Sequence, residues 1–251
     1  MPSTEVAARA PVTVVLPTLN EALNIARLIA AILARVAEAE VWVVDDDSPD
    51  GTWRIVQEIA AADPRVRLLR RIGRRGLTSA IQEGIDASTG EIVVWLDCDF
   101  SMPPEVIPQL VEAVSSGGHD LAVGSRFVAG GSAKRPTSAT RDSRLGVALS
   151  NWLNLGARLW LGPSFHDYTS GFIACRRGVL EELRLVGDYG EYFMALIYQA
   201  RQRGYRIIEV PYACIPREFG ESKTGSGLLQ YGRRGVKYLR TAARLRLLGK
   251  P

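Results

Sequence analysis

The sequence has only two histidines, His119 and His166, and three cysteines, Cys98, Cys175 and Cys214, among 251 residues. Two imidazoles cannot build a multi-histidine zinc site, and they argue against a Ser-His-Asp hydrolase. The cysteines show no C-x-x-C spacing, which argues for reduced thiols serving as small buried apolar residues in a reducing compartment. Long apolar runs are missing as well. The longest stretch, Leu145 to Leu161, is broken by Asn151, Asn154 and Arg158, whereas a spanning helix wants about 20 mostly apolar residues. Met1 to Ala10 contains Glu5 and Arg9 and no apolar core, so it reads as a short disordered tail and not as a signal peptide. No repeat, low-complexity linker or composition break divides the chain.

What is present is enough for one core. A chain of 251 residues with 47% hydrophobic content fits one α/β domain better than two. The net charge of +4 is mildly basic. It suits phosphate-bearing ligands or an anionic membrane surface and gives no reason to invoke nucleic acid.

Apolar runs and helical periodicities alternate from one end to the other, the pattern of a mostly parallel sheet flanked by helices. Strands are expected at Val12 to Leu16, Val41 to Asp45, Val66 to Leu69, Glu91 to Leu96, Asp120 to Val123, Phe172 to Cys175 and Arg206 to Val210. Helices are expected at Glu21 to Val36, Thr52 to Ala62 with Asp50 as cap, and Leu77 to Ala87. Others start near Pro104 and span Leu145 to Trp160, the region around Val179, and Phe193 to Arg203. Gly130 to Arg144 reads as a long polar loop, a length that is often functional.

Asp97-Cys98-Asp99 follows the apolar run Glu91 to Leu96 and therefore stands at the carboxyl edge of the sheet, where open α/β sheets bind ligands. Two ionised carboxylates in a partly dry cleft repel and call for a divalent cation or a shared proton. An oxygen-only donor set suits Mg²⁺ or Mn²⁺. The same pair would also serve as an N-cap for the following helix. Two further acidic or polar loops fall on the same edge. Pro17-Thr18-Leu19-Asn20-Glu21 follows the first strand, and Asp45 to Thr52 follows the second. Acids recurring after successive strands are hard to explain as capping alone.

Together with Gly124-Ser125-Arg126, Thr169-Ser170-Gly171-Phe172 and Arg217 to Lys223, these motifs resemble glycosyltransferase family 2, and within it the dolichol or polyprenol phosphate mannose synthases. The resemblance runs from about Val12 to Lys223. It implies a GT-A fold over residues 11–227, a sugar nucleotide donor such as GDP-mannose, a divalent cation, a polyprenyl phosphate acceptor and an inverting transfer. It further implies that Asp45, Asp46 and Asp47 line the donor site, that Pro17 and Glu21 help hold the nucleotide, and that Asp97 and Asp99 hold the metal, Asp99 most directly. Ser101 stands where some relatives carry a glutamine, and Ile173-Ala174 follow Phe172 where the synthases usually have arginine.

A phosphate monoester has a second pKa of about 6, so its oxygen is already largely deprotonated at neutral pH and needs positioning more than a base. Fixed cations should supply that positioning. Arg126, Arg217 and Lys223, with Ser222, match the family motifs, and Arg141 or Arg144 match loosely. Asp97, Asp99 and Arg126 are the expected catalytic groups.

Leu228 to Pro251 carries seven basic residues and no acid. On a helix Arg233, Lys237, Arg240 and Arg244 share a face, so the segment reads as either a membrane-surface helix or a solvated terminal helix. The resulting expectation is a cytoplasmic protein, peripheral on the cytoplasmic face of a membrane. Other readings remain open: a UDP-glucose type donor or another acceptor, a nucleotidyltransferase, or a non-catalytic sugar-nucleotide-binding subunit. The nucleotidyltransferase is disfavoured because no glycine-rich signature with a following lysine succeeds the first strand.

Overall fold

A computed structural model of the chain describes residues 11–133, 144–215 and 228–248. Seven strands form one sheet in the order β3-β2-β1-β4-β6-β5-β7. They are β1 (Val12–Thr18), β2 (Glu40–Asp45), β3 (Val66–Arg70), β4 (Ile92–Trp95), β5 (Leu121–Ser125), β6 (Ile173–Arg176) and β7 (Ile207–Pro211). All pairings are parallel except those of β6, which runs antiparallel between β4 and β5. The α/β, mostly parallel architecture expected from the sequence is therefore present.

The helices are α1 (Ile25–Arg35), α2 (Thr52–Ala62), α3 (Leu77–Ala87), α4 (Ile107–Ser115), α5 (Arg144–Leu161), α6 (Arg177–Glu182), α7 (Glu191–Gln202) and α8 (Leu228–Leu248). Helices α2 and α3 begin and end where periodicity predicts. Helix α1 starts four residues later than expected. Asn20 is left-handed, with φ 57°, and the Glu21 carbonyl accepts from the Asn24 and Ile25 amides at 2.9 Å, so the chain turns once before the helix begins. Pro104–Val106 is a single 3₁₀ turn that leads into α4.

Alternation along the strands sorts their side chains into two cores, one on each face of the sheet. Val15, Val44, Val93 and Trp95 point to the face covered by α3, α5, α7 and α8. Val14, Leu16, Val43, Val94 and Leu96 point to the face covered by α1, α2 and α4. Each such side chain, fully removed from water, contributes about 1.5–3 kcal/mol. Helix α3 approaches closely because residue 84 is glycine: a β-carbon there would lie 2.5 Å from Val15 Cγ1 and 3.0 Å from Val44 Cγ2.

The basic helix α8 belongs to the first core. Leu245 is fully buried and Tyr238 is 9% exposed. Tyr238 occupies the space over Gly190 at the start of α7, where any β-carbon would overlap its hydroxyl, and Lys237 pairs with Asp188 beside it. Among the described residues no helix is long and apolar enough to cross a membrane. Cys98 and Cys175 are buried, and Cys214 is partly exposed.

Candidate functional site

The segments leaving β1 and β2 are stitched together residue by residue. Thr18 Oγ1 donates to Asp45 Oδ2 at 2.7 Å, and the Asn20 amide donates to Ser48 Oγ at 3.0 Å. The amides of Glu21 and Ala22 donate to Thr52 Oγ1 and Asp50 Oδ2, both at 2.9 Å. Asp45 is fully buried and also accepts the Ser48 amide at 2.8 Å and hydroxyl at 2.7 Å. The N-cap of α2 is Gly51 and not Asp50 as expected; Asp50 stands one residue earlier and accepts the Thr52 amide at 3.0 Å and hydroxyl at 2.6 Å. Glu21 is itself buried and accepts from Asn24 Nδ2 at 2.8 Å. Pro17, on β1, accepts from the Cys98 thiol at 3.5 Å, which ties this wall to the β4 loop.

Asp46 and Asp47 turn toward β3. Asp46 Oδ1 accepts from Arg71 Nε at 2.7 Å and Oδ2 accepts the Gly76 amide at 2.8 Å. Arg71, 1% exposed, continues to Ser79 Oγ at 2.9 Å and Glu83 at 3.1 Å. Asp47 accepts from Arg70 Nε at 2.7 Å, and that guanidinium lies 3.6 Å from the centroid of Trp53. The three aspartates thus fix one continuous wall formed by the ends of β1, β2 and β3.

At the end of β4 Asp97 is an exposed residue while Asp99 is 4% exposed. Asp99 Oδ1 accepts the Ser101 amide at 2.9 Å. Phe100 between them is left-handed, with φ 62°, an uncommon conformation for a bulky side chain. Among the described residues the non-glycine residues with positive φ are Asn20, Asp47 and Phe100, one after each of β1, β2 and β4. Backbone strain of about 1–3 kcal/mol per such residue is typical of functional loops. Among the described residues no three of His, Cys, Asp and Glu gather as a metal cage. Two hard carboxylates do fit Mg²⁺ or Mn²⁺, which commonly take one or two carboxylates and complete their shell with substrate phosphate and water.

Arg126 follows β5 and is held by Asp167. Its Nε donates to Asp167 Oδ2 at 2.8 Å and its Nη2 to Oδ1 at 2.6 Å, with Thr169 Oγ1 2.8 Å from Nη2. Burial works against the cation, but the charge and hydrogen bonds of Asp167 outweigh it and raise the arginine's pKa above its ordinary value. Arg126 is thus a permanent cation with a resident counterion. Sequence reasoning named Arg126 and missed Asp167, whose only local signal is its place just before Thr169-Ser170-Gly171-Phe172.

Tyr192 and Tyr212 are both buried. Trp95 Nε1 donates to the Tyr192 hydroxyl at 2.9 Å. Burial, with the charge of Asp97 added, pushes the Tyr192 phenol far above its usual range. Tyr212 is raised chiefly by burial, and it feels both Arg126, which opposes the rise, and Asp97, which adds to it. The structure thus brings together Pro17, Glu21, Asp45, Asp46, Asp47, Asp97, Asp99 and Arg126 at one edge. Arg141, Arg217, Ser222 and Lys223 lie outside the described residues, as do the tail 1–10 and most of the 130–144 loop.

A family model described as glycosyl transferase family 2 matches residues 13–184. A polyprenol monophosphomannose synthase from Mycolicibacterium smegmatis is 36% identical over 223 residues, covering 86% of this chain and 82% of that protein. An undecaprenyl-phosphate mannosyltransferase from Micrococcus luteus is 35% identical over 225 residues, covering 87% and 89%. A dolichol-phosphate mannosyltransferase from Pyrococcus furiosus is 34% identical over 226 residues, 88% of this chain but 61% of that longer protein. Among solved structures, glucosyl-3-phosphoglycerate synthase from Mycobacterium tuberculosis, in complex with Mn²⁺, UDP and glucosyl-3-phosphoglycerate, superposes with a TM-score of 0.67. It is 24% identical, over 96% of this chain and 81% of that one. At that identity the likeness establishes the fold, which is GT-A. With the family model covering more than half of the sequence and a relative at 36% identity, the chain belongs to glycosyl transferase family 2.

Proposed function

We propose that this glycosyltransferase moves a sugar, mannose from GDP-mannose, onto the phosphate of a polyprenyl phosphate with inversion at the anomeric carbon. The observation that carries this reading is the placement of Asp97 and Asp99 after β4 and of Arg126 after β5 at the same edge of the sheet, since both strands run antiparallel to β6. The acids suit a donor diphosphate with its cation, and the arginine suits an anionic acceptor. The names of the relatives supply the chemical class on both sides.

In this reading an acceptor phosphate oxygen forms the new bond to the anomeric carbon. The bond from that carbon to the diphosphate oxygen breaks, and the nucleoside diphosphate leaves with the electron pair. Asp97 and Asp99 would hold a divalent cation, whose chemistry is to stabilise negative charge developing on the departing diphosphate. The wall built on Asp45, Asp46 and Asp47, with Pro17 and Glu21, orients the nucleotide. Arg126 orients the acceptor phosphate, assisted by Arg217, Ser222, Lys223 and Arg141.

A peripheral membrane position on the cytoplasmic face completes the proposal. Helix α5 exposes Trp152, Leu155, Leu159 and Trp160, and α8, packed beside it, exposes Val236, Leu239, Leu247 and Leu248. Lys237, Arg240, Arg244 and Arg246 are also exposed on α8. Apolar area flanked by basic charge suits an anionic bilayer surface.

The deciding experiment incubates purified protein and Mn²⁺ with GDP-mannose, UDP-glucose and related donors plus a short polyprenyl phosphate, followed by mass spectrometry of the lipid. A mannosylated lipid phosphate supports the reading. A glucosylated lipid corrects the donor, and transfer only to a soluble phosphate monoester corrects the acceptor. Pyrophosphate release, or binding without turnover, overturns it.

A further inference from the structure

We infer that Glu209 is a positioning residue that sets the aim of the Arg126 guanidinium. Glu209 lies on β7 opposite Val123 of β5, and its side chain is 10% exposed. Its carboxylate makes four hydrogen-bond contacts among the described residues. Oε1 accepts Ser125 Oγ at 2.7 Å and the Asp167 amide at 3.1 Å. Oε2 accepts the His166 amide at 2.9 Å and lies 2.8 Å from His166 Nδ1.

Those contacts bracket the Arg126–Asp167 pair. Ser125 immediately precedes Arg126, and Asp167 is the counterion itself. Oε1 therefore ties the strand end that carries the cation to the backbone that carries the anion. The opposite side of the same segment is held by Asn154 of α5, which donates to the His166 carbonyl at 2.7 Å and accepts the Tyr168 amide at 2.8 Å. A bidentate arginine–carboxylate pair is directional. Moving Asp167 rotates the guanidinium plane and changes which N–H edge is presented to the cleft. A largely buried carboxylate that joins the Ser125 hydroxyl to the amides of His166 and Asp167 acts as a ruler for the geometry.

The acceptor side of this inference rests on the proposed function, while the geometric side does not. In the full-length protein, Glu209→Gln keeps the shape but replaces one acceptor oxygen with a donor that faces His166. The Arg126 Nε–H resonance, assigned by its loss in Arg126→Lys, should exchange with water about tenfold faster in Glu209→Gln, and the KM for a short polyprenyl phosphate should rise by a similar factor. The KM for GDP-mannose should stay within about twofold, the split that separates positioning from general loosening. Glu182→Gln, an exposed carboxylate bonded to Arg203, should change neither. If Glu209→Gln does not fold, Ser125→Ala removes one of the four contacts and should shift Arg126 exchange in the same direction. Unchanged Arg126 exchange, or donor and acceptor KM rising together, overturns the inference. Absence of transfer by the unmodified protein would instead count against the proposed function, and Arg126 exchange would still decide the role of Glu209.

Discussion

Arg71 donates its Nε–H to Asp46 Oδ1 at 2.7 Å with both side chains sealed from water, 1% and 8% exposed. Removing one partner of a buried ion pair strands the other charge, at a cost of about 3–5 kcal/mol. Arg71→Met should therefore lower the urea midpoint sharply, with Asp46 left inside. Adding Asp46→Asn should recover part of that loss. A double variant less stable than Arg71→Met alone would show that the carboxylate is not what suffers.

At the β4 loop, Asp99→Asn should separate chemistry from folding. The amide oxygen can still accept the Ser101 amide, as Asp99 Oδ1 does at 2.9 Å, but it is a poorer ligand for a hard cation. Transfer should fall on the order of 10²–10³-fold, the range seen when one transition-state charge stabiliser is lost. The melting temperature should move by less than about 4 °C, equivalent to ~1 kcal/mol in a domain of this size. Wild-type turnover in that variant, or undiminished activity in chelator, would remove Asp99 from the metal site.

Alkaline pH should act through the tyrosines. Tyr192, Tyr212 and Tyr238 are raised above the ordinary value of 10.0, chiefly by burial. A group whose folded pKa lies above its unfolded one keeps its proton more tightly in the native state. Its stabilising effect is complete below pH 10 and is lost as pH rises beyond it. Absorbance at the phenolate band should show these three absent from the titration near 10 and appearing together with unfolding. Reversible ionisation of all eight tyrosines in the folded protein would contradict their burial.

The membrane reading is best tested on α5. Deleting α8 would also remove Tyr238 and Leu245 from the core, which confuses attachment with stability. Trp152 and Leu159 are 71% and 74% exposed, so Trp152→Glu with Leu159→Glu should leave folding intact. Binding to anionic vesicles should drop at least about tenfold, and binding by the unmodified protein should weaken with salt. Equal sedimentation of both proteins would move the attachment away from this face.

Much of this was legible in the sequence because local rules carried it. The termini of α2 and α3 follow from apolar spacing, and Asp97 and Asp99 follow from the run that ends at Leu96, whereas the N-cap of α2 is Gly51 and not the Asp50 that the sequence suggested. What stayed hidden depends on long-range pairing. Phe172 to Cys175 is apolar on both faces, and such a run encodes a buried strand without encoding its direction, so the antiparallel sense of β6 could not be read. The partners of Asp46 and Arg126 lie far along the chain, at Arg71 and Asp167. On α8 the basic residues dominate the pattern. Its core contribution rests on Tyr238 and Leu245, two turns apart, too sparse a signal to separate a packed helix from a surface one.

The antiparallel β6 also dictates the order in which the sheet can be assembled. Strands β1 to β4 can pair as soon as residue 95 is available, but the outer edge of β4 has no partner until Ile173–Arg176 arrives, and β5 and β7 join only through β6. Closing that long loop is a slow, entropically costly event. During refolding, amides of β4 that face β1 should gain exchange protection before those of the same strand that face β6, so a single strand would report two times. Simultaneous protection of both sets would mean that the two halves of the sheet condense in one step.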